Sequence, residues 1–127
     1  MIPGELLPAA RPIVLPARRV VRTDVRNTSQ WPVVVTSHFH FFEANRHLRF
    51  DRGTAFGMHL DLLAGGAVRW APGQLRSVEL TEYAGERGIY GFNGFVNDCL
   101  LDEARVPQLR ADAVDRLRAA GYQDGPP

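Results

Sequence analysis

Phe56, Met58, Leu60 and Leu62 alternate with Gly57, His59 and Asp61, and a period of two puts every large apolar side chain of such a run on one face of a strand. The run from Arg19 to Arg26 repeats the pattern, with Val21, Thr23 and Val25 set against Arg22, Asp24 and Arg26. Strands that are apolar on one face and polar on the other belong to antiparallel sheets with one wetted side. Turn formers interrupt the chain at short intervals, in Asn27-Thr28-Ser29-Gln30-Trp31-Pro32, Ala64-Gly65-Gly66, Ala71-Pro72-Gly73-Gln74 and Ala84-Gly85-Glu86. Between them lie the short segments Val33 to Val35, Ala67 to Trp70, Val78 to Tyr83 and Ile89 to Phe92. Over roughly 75 residues this argues for a mainly β fold, an antiparallel β-sandwich or jelly-roll-like barrel.

Both ends depart from that pattern. Pro3, Pro8, Pro12 and Pro16 exclude helix from residues 1–19 and predict an extended arm. Its Ile13-Val14-Leu15 segment is apolar enough to lie on a partner as an edge strand. At the other end Leu109, Ala113, Leu117 and Ala120 fall near one helical face from Pro107 onward, Asp112 and Arg116 stand at i,i+4, and Gly121 is placed to stop the helix. One amphipathic helix is expected there, preceded by a helical turn near Asn97 and docked either on its own sheet or on another chain. Gln123 to Pro127 should fray. The resulting division is a β domain over 1–97 and a C-terminal helical extension over 98–127.

With 127 residues the chain can bury a core unaided, and a net charge of +1 with interspersed signs leaves no basic surface for nucleic acid or anionic lipid. No stretch reaches the roughly 18 apolar residues of a membrane span, the N-terminus does not read as a signal peptide, and a cytoplasmic location is expected. All 15 basic residues are arginine. A chain without lysine has no Schiff base, no P-loop amine and no carbamylated lysine to bridge metals. Cys99 is alone, reads as a buried thiol, and can form no intrachain disulfide.

The candidate site is Thr36-Ser37-His38-Phe39-His40-Phe41-Phe42-Glu43-Ala44-Asn45, which packs two histidines and a carboxylate into ten residues. Read as a strand, it places His38, His40 and Phe42 on one face and Phe39, Phe41 and Glu43 on the other, which splits the apparent ligand trio. The pattern approaches the first motif of the metal-binding cupins, but Phe41-Phe42 is one residue too short a spacer, and Pro72-Gly73-Gln74-Leu75-Arg76-Ser77 carries no third histidine. His47 falls in a loop and His59 on an alternating strand. Ser29, Ser37 and Ser77 lack a nucleophile-elbow context, and no Gly-rich phosphate loop occurs. Glu43, Asp51 and Asp61 would serve as acid-base groups only if a cleft gathered them. No catalytic and no metal-binding residue is therefore assigned. A scaffold or subunit, a stand-alone cupin-like metal protein and a purely structural β-sandwich adaptor all remain open on these grounds.

A longer set of residues resembles one family. Met1-Ile2-Pro3-Gly4-Glu5, Asn27-Thr28, Trp31-Pro32, Ser37 to Asn45, Leu48-Arg49-Phe50-Asp51-Arg52, Gly57-Met58-His59-Leu60, Ala64-Gly65, Ala67-Val68-Arg69, Pro72-Gly73-Gln74 and Gly91-Phe92 resemble the bacterial urease beta subunit, in order and over about residues 1–97. The resemblance implies a small, non-catalytic, β-rich subunit of a nickel enzyme that turns urea and water into ammonia and carbamate. It implies that the nickel ions and their bridging carbamylated lysine belong to the alpha subunit, and that this chain binds no cofactor. It further implies packing on alpha and gamma subunits, three such heterotrimers in a ring, and docking of the accessory proteins that deliver nickel. Ile13, Val14, Leu15, His38, His40, Glu43, Asn45, Asp51 and Arg52 are then expected at or near subunit contacts. Thr36, Leu63, Gly66 and Trp70-Ala71 stand where the family usually has Gly, Pro, Thr and Phe-Glu, so a diverged structural paralogue is the alternative within the family.

Overall fold

Val20–Asn27 forms β1, and its alternation works as the sequence predicts: Val25 and Asn27 are buried while Arg22 and Asp24 face solvent. The computed structural model describes residues 19–83, 88–100 and 102–127, so the expected arm with Ile13, Val14 and Leu15 and the Ala84-Gly85-Glu86 turn lie outside it. The remaining strands are β2 Val33–Thr36, β3 Leu48–Arg49, β4 Met58–Leu60, β5 Ala67–Trp70, β6 Leu75–Glu82, β7 Gly88–Ile89 and β8 Asp98–Cys99, followed by helix α1 Val106–Ala119. The class is mainly β and antiparallel as expected. One curled four-stranded sheet runs in the order β3-β1-β6-β4, and β2-β5 and β7-β8 form two small two-stranded sheets.

β1 pairs with β6 from Val20↔Thr81 to Arg26↔Leu75, and this long ladder is the frame on which the rest is hung. The β2-β5 ribbon turns Val33, Val35, Val68 and Trp70 inward, and the Trp70 indole N–H donates to the Val25 carbonyl at 3.1 Å. That bond ties ribbon to sheet through a donor that would otherwise be buried unpaired. Between the two lie Phe41, Phe42, Phe50, Met58, Leu60 and Leu80, all at most 1% exposed. Full burial of each such side chain is worth roughly 1.5–3 kcal/mol.

Several strands are shorter than their apolar patterns. Gly57 sits at φ +77° and closes the 3₁₀ turn Arg52–Ala55 before β4 starts, so Phe56 packs in the core without joining the strand. Leu62 is 43% exposed, beyond the end of β4. Likewise β7 ends at Ile89, because Gly91 and Phe92 adopt positive φ.

Helix α1 packs on its own chain, with Ala113 and Leu117 fully buried in the common core. Gly121, at φ +84°, stops it as predicted: its N–H donates to Arg118 O at 3.0 Å and that of Tyr122 to Leu117 O at 3.2 Å, the double bond of a Schellman ending. The expected Asp112–Arg116 pairing gives way to other partners. Gln108 donates to Asp112 at 2.8 Å, and Arg116 reaches back to the Phe95 carbonyl at 2.5 Å. The tail is not frayed either. The Gln123 N–H donates to Arg46 O at 2.9 Å, the Gly125 N–H to Phe50 O at 3.0 Å, and Arg49 Nε to Pro126 O at 2.7 Å. Residues 123–126 therefore run alongside the 46–50 segment, and those backbone bonds hold what sequence position alone would leave loose.

Candidate functional site

The strand predicted for the whole Thr36 to Asn45 stretch ends at Thr36, and Phe41–Glu43 is a 3₁₀ turn. Glu43 N–H donates to His40 O at 2.9 Å and Ala44 N–H to Phe41 O at 3.0 Å. Three residues per turn place i and i+3 on one side. His40 and Glu43, which a strand would put on opposite faces, are thus brought together: Nδ1 of His40 lies 2.6 Å from Oε2 of Glu43, and both side chains are fully buried.

Every polar side-chain atom of this pair is engaged. The Gly57 N–H donates to His40 Nε2 at 2.9 Å, so Nε2 bears no proton and Nδ1–H is the donor to Glu43. Glu43 Oε1 accepts the Phe95 N–H at 2.8 Å, and the Glu43 carbonyl accepts Asn93 Nδ2 at 2.5 Å. The imidazole stands among the rings of Phe42, Phe56, Phe92 and Tyr83, with centroids 5.6 to 6.2 Å away. Burial pulls the His40 pKa below its ordinary 6.5, against the raising effect of Glu43. Burial, with Glu43 adding to it, pushes the Tyr83 phenol up, and its hydroxyl donates to His38 O at 2.7 Å.

Arg52 anchors the other end of the loop. Its five guanidinium N–H groups make five bonds to carbonyls: Nε to Gln123 at 2.7 Å, Nη1 to Phe42 at 2.9 Å and Ala44 at 2.5 Å, Nη2 to Asn45 at 2.9 Å and Leu48 at 2.7 Å. The plane lies 4.6 Å from the Phe50 ring centroid and 5.2 Å from that of Tyr122. Burial lowers its pKa from 12.5 to about 10, with Asp124 and Tyr122 opposing the shift, so it remains a cation at neutral pH. Carbonyl dipoles solvate this charge in place of water. Periodicity could not have found it, since Arg52 bonds the 42–48 loop to a tail residue 71 positions away.

The sequence-assigned residues therefore divide in two. His40, Glu43 and Arg52 are fully buried within this chain and hold its loop. His38, Asn45 and Asp51 are exposed. His38 Nδ1 lies 3.1 Å from Thr36 Oγ1, and Asn45 Oδ1 accepts the His47 N–H at 2.9 Å. The half-buried His59 has Nδ1 at 3.1 Å from the Ser37 carbonyl and 2.9 Å from that of Leu60. Among the described residues no three His, Cys, Asp or Glu side chains gather as metal ligands. Sequence reading missed Asn27, whose buried amide donates to Trp31 O at 2.6 Å and accepts from Ser29 N and Oγ at 2.9 and 2.8 Å, holding the turn into β2. Its only signal was the Asn in a turn-rich segment.

Residues 3–99 match the family described as the urease beta subunit. The chain belongs to the urease beta subunit family. The urease subunit beta of Haloarcula marismortui is 45% identical over 125 residues, 98% of this chain and 86% of that protein. That of Staphylococcus epidermidis is 50% identical over 107 residues, 84% of this chain and 80% of its own. The urease subunit gamma/beta of Pseudomonas syringae pv. tomato is 44% identical over 122 residues, 95% of this chain and 51% of that protein. As a urease beta subunit the chain is part of the urease complex, which hydrolyses urea. Urease is a nickel enzyme whose nickel is held by the alpha subunit. His40 is not free to ligate the metal, since both of its ring nitrogens are committed, and the sequence has no lysine to form a bridging carbamate. Among the described residues no helix is long and apolar enough to cross a membrane.

Proposed function

We propose that this chain is the non-catalytic scaffold of its urease: it binds no nickel, packs on the catalytic alpha subunit and on the gamma subunit, and presents the 36–52 loop to them. One observation carries this division of labour. Two side chains with metal-ligand or acid-base chemistry, His40 and Glu43, are spent on internal bonds, while exposed His38, Asn45 and Asp51 stand on the surface those bonds shape. Ile13, Val14 and Leu15 of the arm supply the apolar part of the contact. A relative whose name joins gamma and beta in one polypeptide supports adjacency of this chain to the gamma subunit. The full assembly is a ring of three heterotrimers in the cytoplasm, visited by the accessory proteins that insert nickel, with no part for nucleic acid or membrane. Past β8, helix α1 and the tail that follows it brace the loop, through the bond of Arg52 to the Gln123 carbonyl and the tail's bonds to Arg46 and Phe50.

Co-expression with alpha and gamma subunits tests this. The triple substitution His38→Ala, Asn45→Ala, Asp51→Ala should leave the chain folded and cut its co-purification with alpha and gamma. An undiminished yield of intact complex overturns the interface. The purified chain should carry no nickel by elemental analysis and hydrolyse no urea, and one tightly held equivalent of nickel would refute the scaffold role.

A further inference from the structure

Phe95 is held on three sides. Its N–H is on Glu43, its carbonyl takes Arg116 Nη2 at 2.5 Å and Nε at 3.2 Å, and its ring meets that of Tyr122 edge-on at 5.0 Å. Followed backward, the connection runs from helix α1 through Phe95 to Glu43, then to His40, and finally to the Gly57 N–H at the entrance to β4. One imidazole, in one tautomer, joins four parts of the fold.

That tautomer leaves no room for a second proton. Protonation would place a hydrogen on Nε2, where the Gly57 N–H already points from 2.9 Å, so two donors would face each other. The rings of Phe42, Phe56 and Phe92 around the imidazole offer no strong acceptor in exchange. The titratable groups near it are Glu43, bonded at Nδ1, and Tyr83, with ring centroid at 6.2 Å. The His59 ring lies tilted against that of Tyr83, with centroids 4.7 Å apart, and Arg116 sits beyond Phe95. A charged imidazole can satisfy Nε2–H only by reaching water, which requires the 40–43 turn to swing outward and draw Glu43 away from Phe95.

We propose that His40 is an acid-released latch: proton uptake at Nε2 expels the Gly57 N–H, opens the 40–43 turn, and frees the 92–96 segment together with the docking of helix α1. Urea hydrolysis releases ammonia, a base, so a working complex keeps this latch closed. That consequence rests on the proposed subunit role, whereas the latch itself does not.

Amide exchange of the full-length chain, followed by NMR between about pH 7 and about pH 5 and corrected for the intrinsic pH dependence of exchange, tests it. One linked proton predicts that the opening equilibrium at Gly57 and Phe95 rises up to about tenfold per pH unit below about 6.5, with the first turns of α1 following and the β1-β6 ladder unmoved. His40→Gln, which takes up no proton there, should flatten the slope. If that variant does not fold, the ¹⁵N shift of His40 Nε2 in the unsubstituted chain decides: it should move from unprotonated to protonated over the range in which the two amides lose protection. Protection at Gly57 and Phe95 that stays constant across the range, or an imidazole that protonates while both amides remain protected, overturns the latch.

Discussion

Arg52→Met keeps most of the stem's volume and deletes all five guanidinium donors. The carbonyls of Phe42 and Ala44, on fully buried or nearly buried residues, lose the donor that satisfies them. A hydrogen bond from a charged donor is worth about 1.5–3 kcal/mol, so five would give on the order of 10 kcal/mol if they were additive, which bonds sharing one group are not. Against this stands the burial of the cation. The lowering of its pKa from 12.5 to about 10 corresponds to about 3 kcal/mol of penalty on the charged form, which methionine relieves. With non-additivity taken to cut the loss to about 7 kcal/mol, subtracting the relieved penalty leaves a net destabilisation of about 4 kcal/mol.

Guanidinium chloride unfolding of the full-length chain reads this directly. With a slope of about 4 kcal/mol per molar for a chain of this size, the midpoint should fall by about 1 M. Arg52→Lys separates geometry from charge. A lysine offers three donors from one point and no planar fork, so it should recover less than half of the loss. A loss under about 1 kcal/mol for the methionine variant, or full recovery by lysine, would refute the account of Arg52 as a five-carbonyl clamp.

Gly57→Ala adds a Cβ 2.9 Å from Leu100 Cδ1 at a residue with φ +77°, and should lower stability by about 1–3 kcal/mol in thermal unfolding. Leu117→Ala opens a cavity where α1 meets the core and should cost about 2–5 kcal/mol, measured by the same denaturant titration. Because the His40 pKa is depressed in the fold, the unfolded chain takes its proton first. The stability it confers is complete above about pH 6.5 and should fall below it by up to about 1.4 kcal/mol per pH unit until the folded pKa is reached, as unfolding at stepped pH will record. The Tyr83 phenol, raised by burial, should give no tyrosinate absorbance at its ordinary value of 10 while the chain is folded, and stability should drop as pH rises through that value.

What was legible in the sequence was whatever repeats locally. The alternation of β1, the Gly121 stop and the inward face of Ala113 and Leu117 on α1 are each decided by neighbours within a few positions, and each is found where the pattern puts it, whereas Ala120 falls past the helix end and is exposed. The 36–45 stretch was misread for the opposite reason. Its alternating polar and aromatic residues satisfy the period of a strand, but the chain after Thr36 is bent by partners that lie far along the sequence: Arg52 on the Phe42 and Ala44 carbonyls, Gly57 on His40, and Phe95 and Asn93 on Glu43. No local propensity records those bonds. The run that most strongly signals the family is therefore made largely of side chains turned inward, and a change in it would act first on the shape of the loop. The interface proposed at His38, Asn45 and Asp51 would then rest on the loop that buried His40, Glu43 and Arg52 hold, so substituting a buried member should weaken co-purification with alpha and gamma only as far as it loosens that loop.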